Sequence, residues 1–423
     1  MANNFDSNFT RKIMQSFLDK FESERVLTKN VDTQLFAGKF NPSTGENIDI
    51  KRPTDYVSVR TAKGDLTAET ASDIITGKAT ATVQDYFTTF VDYDEADEAI
   101  KMDQLDELLA PMATRMKTDF ELDFASFMMK NSGLLSGSVG TAATTWDDIA
   151  GYGSIMDASG IPMDSQWNVA VNPFTQRKLA SDQRSMGAGG SAGSLISEAH
   201  RRAILSDNFA GMKVMSANTL GSFTTGAGAD RVGAITSVDV TYLTAKDTMT
   251  QAITVSGFNA NLVVKAGDRL EVTGRNRLNL STRTVILDET ASAIKFSGVV
   301  TTDVTLSGTG TGVIVITGPA IFEAAGQYNT TDSAIAAADV ITLLGAASTV
   351  LQPNLFWHKQ AFTVASVPIK KLKATDTIAT TEDGLQFRVT RDSDFTKNQN
   401  KVRIDFRPAY GVMNPFFAGH GWG

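Results

Sequence analysis

A chain of 423 residues, 42% hydrophobic and 20% charged, has the apolar material for a sizeable core and the length for two or three domains. Its 47 acidic residues outnumber 39 basic ones, a net charge of −8, which argues against a protein that grips nucleic acid by neutralising phosphates. Zero cysteines exclude disulfides, thiol nucleophiles and cysteine-held zinc, and the three scattered histidines, His200, His358 and His420, make a multi-histidine metal site a poor expectation.

The opening residues Met1 to Phe5 lack a basic stretch followed by an apolar core, so no secretory signal is expected. No run of 18 apolar residues occurs, so no membrane span is expected either. From Phe9 to Val26 apolar residues recur at helical spacing, with Phe9, Ile13, Phe17 and Phe21 on one stripe. An amphipathic helix ahead of everything else needs a surface to lie on, either the body of its own subunit or a neighbour. These four residues are therefore candidate inter-subunit contacts.

From Leu35 to Tyr93 the pattern changes to short alternating runs. Asn47 to Pro53 reads as a strand closed by proline, and Ala79 to Val91 as strand-like. Thr54 to Lys78 is polar with small apolar islands, and so little to bury predicts an extension away from the body. Glu95 to Leu109 reads as one helix, with Pro111 opening a second. In that second helix Met112, Met116, Phe120, Phe124 and Met128 stand four apart, which predicts one wide apolar face. Asp119, Glu121 and Asp123 lie off that stripe or on its margin.

Helices and strands mix from Ser132 to Ser222, with Trp167 to Val171 a strand and a helix beginning near Pro173. Residues 226 to 344 are then rich in Thr, Val, Ile, Ser and Gly. Six or so short alternating runs divided by glycine turns predict a small β-barrel or sandwich. Glycine-bearing stretches at 224–228 and 345–348 look like paired hinges, as for a domain inserted into a host fold. Host strands resume after Pro353, and Leu385 to Val389 and Lys401 to Phe406 alternate inside and outside.

Motifs with chemistry are few. Gly189-x-Ser191-x-Gly193 matches the nucleophile-elbow spacing, but no buried strand precedes it and no acid is marked as partner to His200. The glycines at 187–190 and 308–312 complete no phosphate-binding pattern, and the acids from Asp92 to Glu98 lack the layout of a calcium loop. No cofactor, metal site or catalytic residue is expected, and the chain is not expected to be an enzyme.

The order of parts is more specific than any part. Several stretches also carry a likeness: Ile74-x-Thr76-Gly77-Lys78-Ala79-Thr80, Glu98 to Leu105, Leu109-Ala110-Pro111, Phe127-Met128-Met129-x-Asn131, Lys265-Ala266-Gly267-Asp268, Pro353 to Phe356, and Arg403-x-Asp405-x-x-Pro408-Ala409-Tyr410 with Asn414-Pro415. Together they resemble the major capsid (coat) proteins of tailed bacteriophages, of α+β Hong Kong 97-like fold with an inserted all-β barrel. Within these the chain is similar to coat proteins of short-tailed enteric phages, most of all that of a Shigella phage. The resemblance implies an N-terminal arm over 1–34, an E-loop with flanking P-domain strands over 35–93, and a P-domain with spine helix over 94–135. It further implies an A-domain over 136–225, the inserted barrel over 226–345, and returning strands over 346–423.

The implied function is self-assembly into pentamers and hexamers of an icosahedral shell around double-stranded DNA, held without sequence-specific binding. The implied partners are other copies of the chain, a scaffolding protein and a portal protein, with no membrane; the place is the virion, assembled in the bacterial cytoplasm. In the resembled proteins a loop of the inserted domain makes charge contacts with the neighbouring capsomer. By position this singles out Lys246 and Asp247 at the tip of the Val238–Val255 hairpin, with Arg275 and Arg277 as partners for Asp247. A receptor-binding surface β-protein and a hydrolase built on Ser191 are the alternatives.

Overall fold

The computed structural model describes residues 14–15, 17–22, 25–35, 47–51, 56–72, 74, 78–94, 105–186, 205, 208–239, 248–324, 326–373, 376–394, 396 and 399–423. The chain forms two compact units, one of Met1–Ile48, Thr80–Ala125 and Phe362–Gly411, the other of Asp49–Ala79, Ser126–Ala361 and Val412–Gly423.

In the first unit the methionine and phenylalanine stripe does what its spacing predicts. Met112, Met116, Phe120 and Phe124 are all buried on one face of the helix Leu105–Asn131, and Met128 continues the buried face at its far end. Pro111 does not open a second helix; the helix runs through it. Proline inside a helix costs about 3 kcal/mol, whereas burying each large apolar side chain of the stripe returns about 1.5–3 kcal/mol. Packing therefore outweighs the break.

The sheet of this unit shows how alternation sorts chemistry. Thr377–Thr380, Gln386–Asp394, Gln399–Phe406 and Phe87–Asp94 form one antiparallel sheet in that order. Phe387, Phe406 and Phe87 are directly opposed across three strands, and their neighbours Arg388, Asp405 and Thr88 are likewise opposed. Side chains alternate faces along a strand, so one row is aromatic and the next ionic. On the ionic face Asp405 accepts from Arg388 Nη2 at 2.5 Å, Arg403 Nε at 2.6 Å and Thr88 Oγ1 at 2.7 Å. Burial alone would raise the Asp405 carboxyl, but these bonds outweigh it and hold the group below its ordinary value. The strand-like stretch at 79–91 proves to be two strands, Lys78–Val83 and Phe87–Asp94, in different sheets.

The second unit holds a mixed five-stranded sheet in the order Leu134–Ser136, Ala418–Gly421, Asn354–Trp357, Asn168–Val171, Lys213–Ser216. The helix Trp146–Ala158 opens on a capping box in which Thr145 and Asp148 each satisfy the other's backbone N–H. It buries Ile149, Tyr152 and Met156 in one core with Val169, Val171 and Phe356. Gly421 is required there: a Cβ would stand 2.4 Å from the Tyr152 ring. Residues 56–72 and 74 of this unit form neither helix nor strand, and nearly all are exposed, as the polar composition predicts.

The Thr/Val/Gly-rich region closes into a six-stranded barrel. Thr250–Ser256, Gly312–Thr317, Lys295–Val300, Arg269–Asn276, Val340–Leu343 and Val232–Val238 follow one another around it. Inward alternate positions such as Ile253, Val255, Leu270, Val272, Ile314, Ile316 and Ile341 fill its interior. Chain entry and exit are stitched together. Phe223–Thr224 pairs with Val350–Leu351, and Thr225 donates its N–H to Thr349 O and its hydroxyl to Ala346 O. Gly226 then passes so close to Val263 that a Cβ would lie 1.8 Å from its carbonyl oxygen. Its N–H is held by the buried carboxylate of Asp268, which also pairs with Arg231 at 3.1 Å.

Candidate assembly surfaces and buried polar sites

Phe17 and Phe21 lie on the first described helical stretch and are fully buried within their own chain. Phe17 meets the Phe387 ring edge-on at 5.5 Å, and Phe21 meets the same ring at 4.8 Å and Phe406 at 6.2 Å. Of the two surfaces open to this apolar face, its own subunit or a neighbour, the sheet of its own unit is the one that covers these two positions. Phe9 and Ile13 lie outside the described residues.

A residue not singled out in the sequence fixes how this arm joins the body. Glu121, on the long helix beside the apolar stripe, is fully buried with no cation bonded to it among the described residues. Its carboxylate accepts the backbone N–H groups of Leu27 at 2.8 Å and Thr28 at 2.9 Å, the Thr28 hydroxyl at 2.6 Å, and more weakly the N–H of Val26. These are the free donors at the start of the turn Thr28–Asn30, where negative charge is favoured. Arg25, just before the turn, pairs with Asp383 and lies 5.5 Å over the Phe21 ring. Glu121→Gln keeps the shape but replaces one accepting oxygen with a donor. It is expected to lower stability by about 1–3 kcal/mol, read as a shift of the denaturation midpoint at unchanged slope.

The four barrel residues divide differently from expectation. Lys246 and Asp247 lie outside the described residues. Arg275 points outward, but it is already bound to Asp339 through Nε at 2.7 Å and Nη2 at 2.8 Å, with Ser333 on its third nitrogen. That bidentate fork raises the guanidinium and lowers the Asp339 carboxyl. Arg277, two residues on, is buried: Nη2 donates to Ser297 O at 2.6 Å and Gly133 O at 3.2 Å, and the guanidinium lies between the rings of Phe296 and Phe416. Neither arginine is a free surface cation, which corrects the expectation that both wait for Asp247.

Arg269, on the same barrel strand, is the most deeply buried cation described. Its Nη2 donates to Ser132 O at 2.7 Å and to Leu134 O, its Nη1 to Gly133 O at 3.1 Å, and its Nε to Nδ1 of His420 at 3.2 Å. His420 in turn bonds Met129 O through Nε2 at 2.7 Å. The carbonyls follow directly on the C-terminal end of the long helix, where a positive charge is favoured and carbonyls lack helical partners.

Ser191 and His200 lie outside the described residues. Elsewhere His358 Nε2 lies 2.7 Å from Asp164 and 3.0 Å from Ser165 Oγ, a serine, a histidine and an acid in contact. Both contacts fall on one ring nitrogen, while Nδ1 accepts from the Gln360 N–H. The proton therefore sits on Nε2, aimed at the acid, and no nitrogen is free to take a proton from Ser165. This is a structural tie rather than a triad. Among the described residues no group of three or more acidic or histidine side chains stands ready to hold a metal, and no helix is long and apolar enough to cross a membrane.

Residues 1–422 match the family described as P22 coat protein, gene protein 5. The major capsid protein of Acyrthosiphon pisum secondary endosymbiont phage 1 is 32% identical over 426 residues, covering 100% of both chains. Among solved structures, one from Mycobacterium phage Che8 is similar at a TM-score of 0.46 and 13% identity, covering 94% of this chain and 90% of its own. The capsid of cyanophage P-SCSP1u is similar at 0.42 and 11%, covering 92% and 84%. The near-complete family match carries the assignment. The chain belongs to the P22 coat protein family: it is a structural protein of α+β fold with a closed six-stranded β-barrel, a major capsid protein of the icosahedral virion shell of a tailed double-stranded DNA phage, and not an enzyme.

Proposed function

We propose that copies of this chain assemble, on a scaffolding protein and around a portal protein, into the pentamers and hexamers of the shell. Within the family it stands with coat proteins of short-tailed enteric phages, that of a Shigella phage included. The observation that carries this reading is a family match over residues 1–422. A net charge of −8 supports a shell that encloses DNA without gripping it. Almost wholly exposed residues 56–72, with Tyr56, Val57 and Leu66 among them, are what a subunit offers when its neighbours complete its burial.

Negative-stain microscopy of the protein expressed with and without a scaffolding protein tests this. Closed shells with scaffold and aberrant forms without it are expected; discrete monomers or trimers in both cases would remove the reading. A charge contact of Lys246 and Asp247 with the neighbouring capsomer belongs to the same proposal. Asp247→Ala is then expected to raise the share of malformed shells at low salt, where screening is weakest, with subunit melting unchanged.

Residues 226–345 are proposed as an inserted domain that folds alone. Stitched entry and exit strands and a filled interior support it. The excised segment is expected to give a β-type circular dichroism spectrum and a cooperative melt, with Arg269 solvated and Arg277 keeping Ser297 and Phe296. A featureless spectrum without a transition would count against it.

A further inference from the structure

We propose that His420 is an acid-operated release for the clamp by which the barrel, through Arg269, holds the end of the long helix. Arg269 Nε always carries a proton, so its bond to His420 Nδ1 exists only while that nitrogen keeps its lone pair. The bond from Nε2 to Met129 O fixes the other proton, and the ring is held as the neutral Nε2–H tautomer. Protonating Nδ1 turns an acceptor into a donor that faces a donor. It also places a second positive charge against buried Arg269, which already has buried Arg277 as a like-charged neighbour, in a site closed to solvent.

Nothing described around the ring offsets that charge. The barrel strand brings Arg269, with Arg277 beyond it, and the helix end brings the Met129 carbonyl. Lys130, next in the chain, is partly exposed and acts on Asp303. The paired strands Leu134–Ser136 and Asn354–Trp357 carry no ionisable side chain, and Trp422 meets the ring edge-on at 6.5 Å. Tyr152, packed against Gly421, is raised by burial and stays neutral throughout the acid range. Burial first, then the charge of Arg269, push His420 well below its ordinary value, against the smaller opposing effect of the Met129 carbonyl.

The sign follows from linkage. A histidine kept neutral by the fold takes up a proton more readily when the clamp is open. Its contribution is complete above the ordinary value of about 6.5 and is lost as pH falls from there through the depressed folded value. Acid therefore loosens the barrel base first, at the carbonyls of 132–134 and the strand Arg269–Asn276.

The test uses the full-length chain with ring-15N-labelled histidine. Only three histidines exist, and His420→Gln, which still accepts and donates but cannot be charged, identifies the signal. The expected result is an Nε2–H tautomer at pH 7.5 and, on going to pH 5, at least about a tenfold loss of amide-exchange protection in 132–136 and 269–273, after correction for intrinsic rates. A tenfold loss corresponds to about one unit of pKa difference between the clamped and open forms. His420→Gln should keep its protection over the same range. Titration of His420 near 6.5 with protection unchanged, or equal loss in the Gln variant, would overturn the proposal. Should that variant not fold, the wild type decides: protection must begin to fall near pH 6.5 and level off only where the native His420 signal titrates, and a loss that starts elsewhere overturns the proposal.

Discussion

Phe17→Asp is expected to prevent the subunit from folding stably, instead of yielding folded subunits that fail to assemble. Phe17 is fully buried against Phe21 and Phe387, so removing the ring alone costs about 3–5 kcal/mol. The carboxylate that replaces it enters an aromatic cluster with no donor described beside it, adding several kcal/mol more. The sum approaches the whole stability of a typical domain, about 5–15 kcal/mol. Because a buried Asp has its pKa raised, the deficit should shrink as pH falls and the group becomes neutral. Soluble expression, circular dichroism and a denaturant midpoint measured at pH 7 and pH 4 check this. A variant that melts like the wild type but forms no shells would return the arm to the role of an inter-subunit contact.

The arm illustrates what sequence alone conveys. Period 3.6 shows that Phe17 and Phe21 share a face with Met14 beside it, but not which surface covers that face. The cover is the aromatic row Phe387 and Phe406, some 370 residues away in the chain. Periodicity conveyed the long helix and the alternating sheet strands well, since each turns apolar residues to one side at a regular spacing. It missed the continuity through Pro111, where tertiary packing overrides a local break.

The polar sites were the least legible. Glu121 lies next to the buried stripe, and nothing local separates a solvated margin glutamate from one that caps a distant turn. The barrel was visible from composition and strand count, but the role of its strand Arg269–Asn276 was not. Arginines at alternate positions of a strand read as surface, and the carbonyls that enclose Arg269 belong to residues 132–134. Of the candidate contact residues in the barrel, Arg275 and Arg277 are bound within their own chain for the same reason: their partners, Asp339 and Ser297, are distant in sequence or on a neighbouring strand.

Arg269→Met is expected to lower stability by about 3–5 kcal/mol, nearly all of it in the second unit. The methionine fills much of the volume, so the loss is not mainly a cavity. It comes from the groups left behind. The Ser132 and Leu134 carbonyls and His420 Nδ1 lose this donor in a buried site, while Gly133 O keeps only Arg277, at about 1–3 kcal/mol for each group left without a partner. Arg269→Lys should recover only part of this, because one ammonium cannot span three carbonyls and an imidazole as the planar fork does.

Arg277→Met should cost less. Phe296 and Phe416 already give an apolar lining for a methionine, and removing one of two neighbouring cations relieves Arg269, depressed first by burial, of the like charge that depresses it further. The two substitutions are therefore expected to be coupled, the double variant losing more than the sum of the singles, because each single already relieves a repulsion that the double can relieve only once. Denaturant melts of the four proteins, followed by Trp422 beside His420 as well as by circular dichroism, would measure this. Strict additivity would mean that the two guanidinium groups do not act on each other, and that the carbonyls at the end of the long helix hold each one separately.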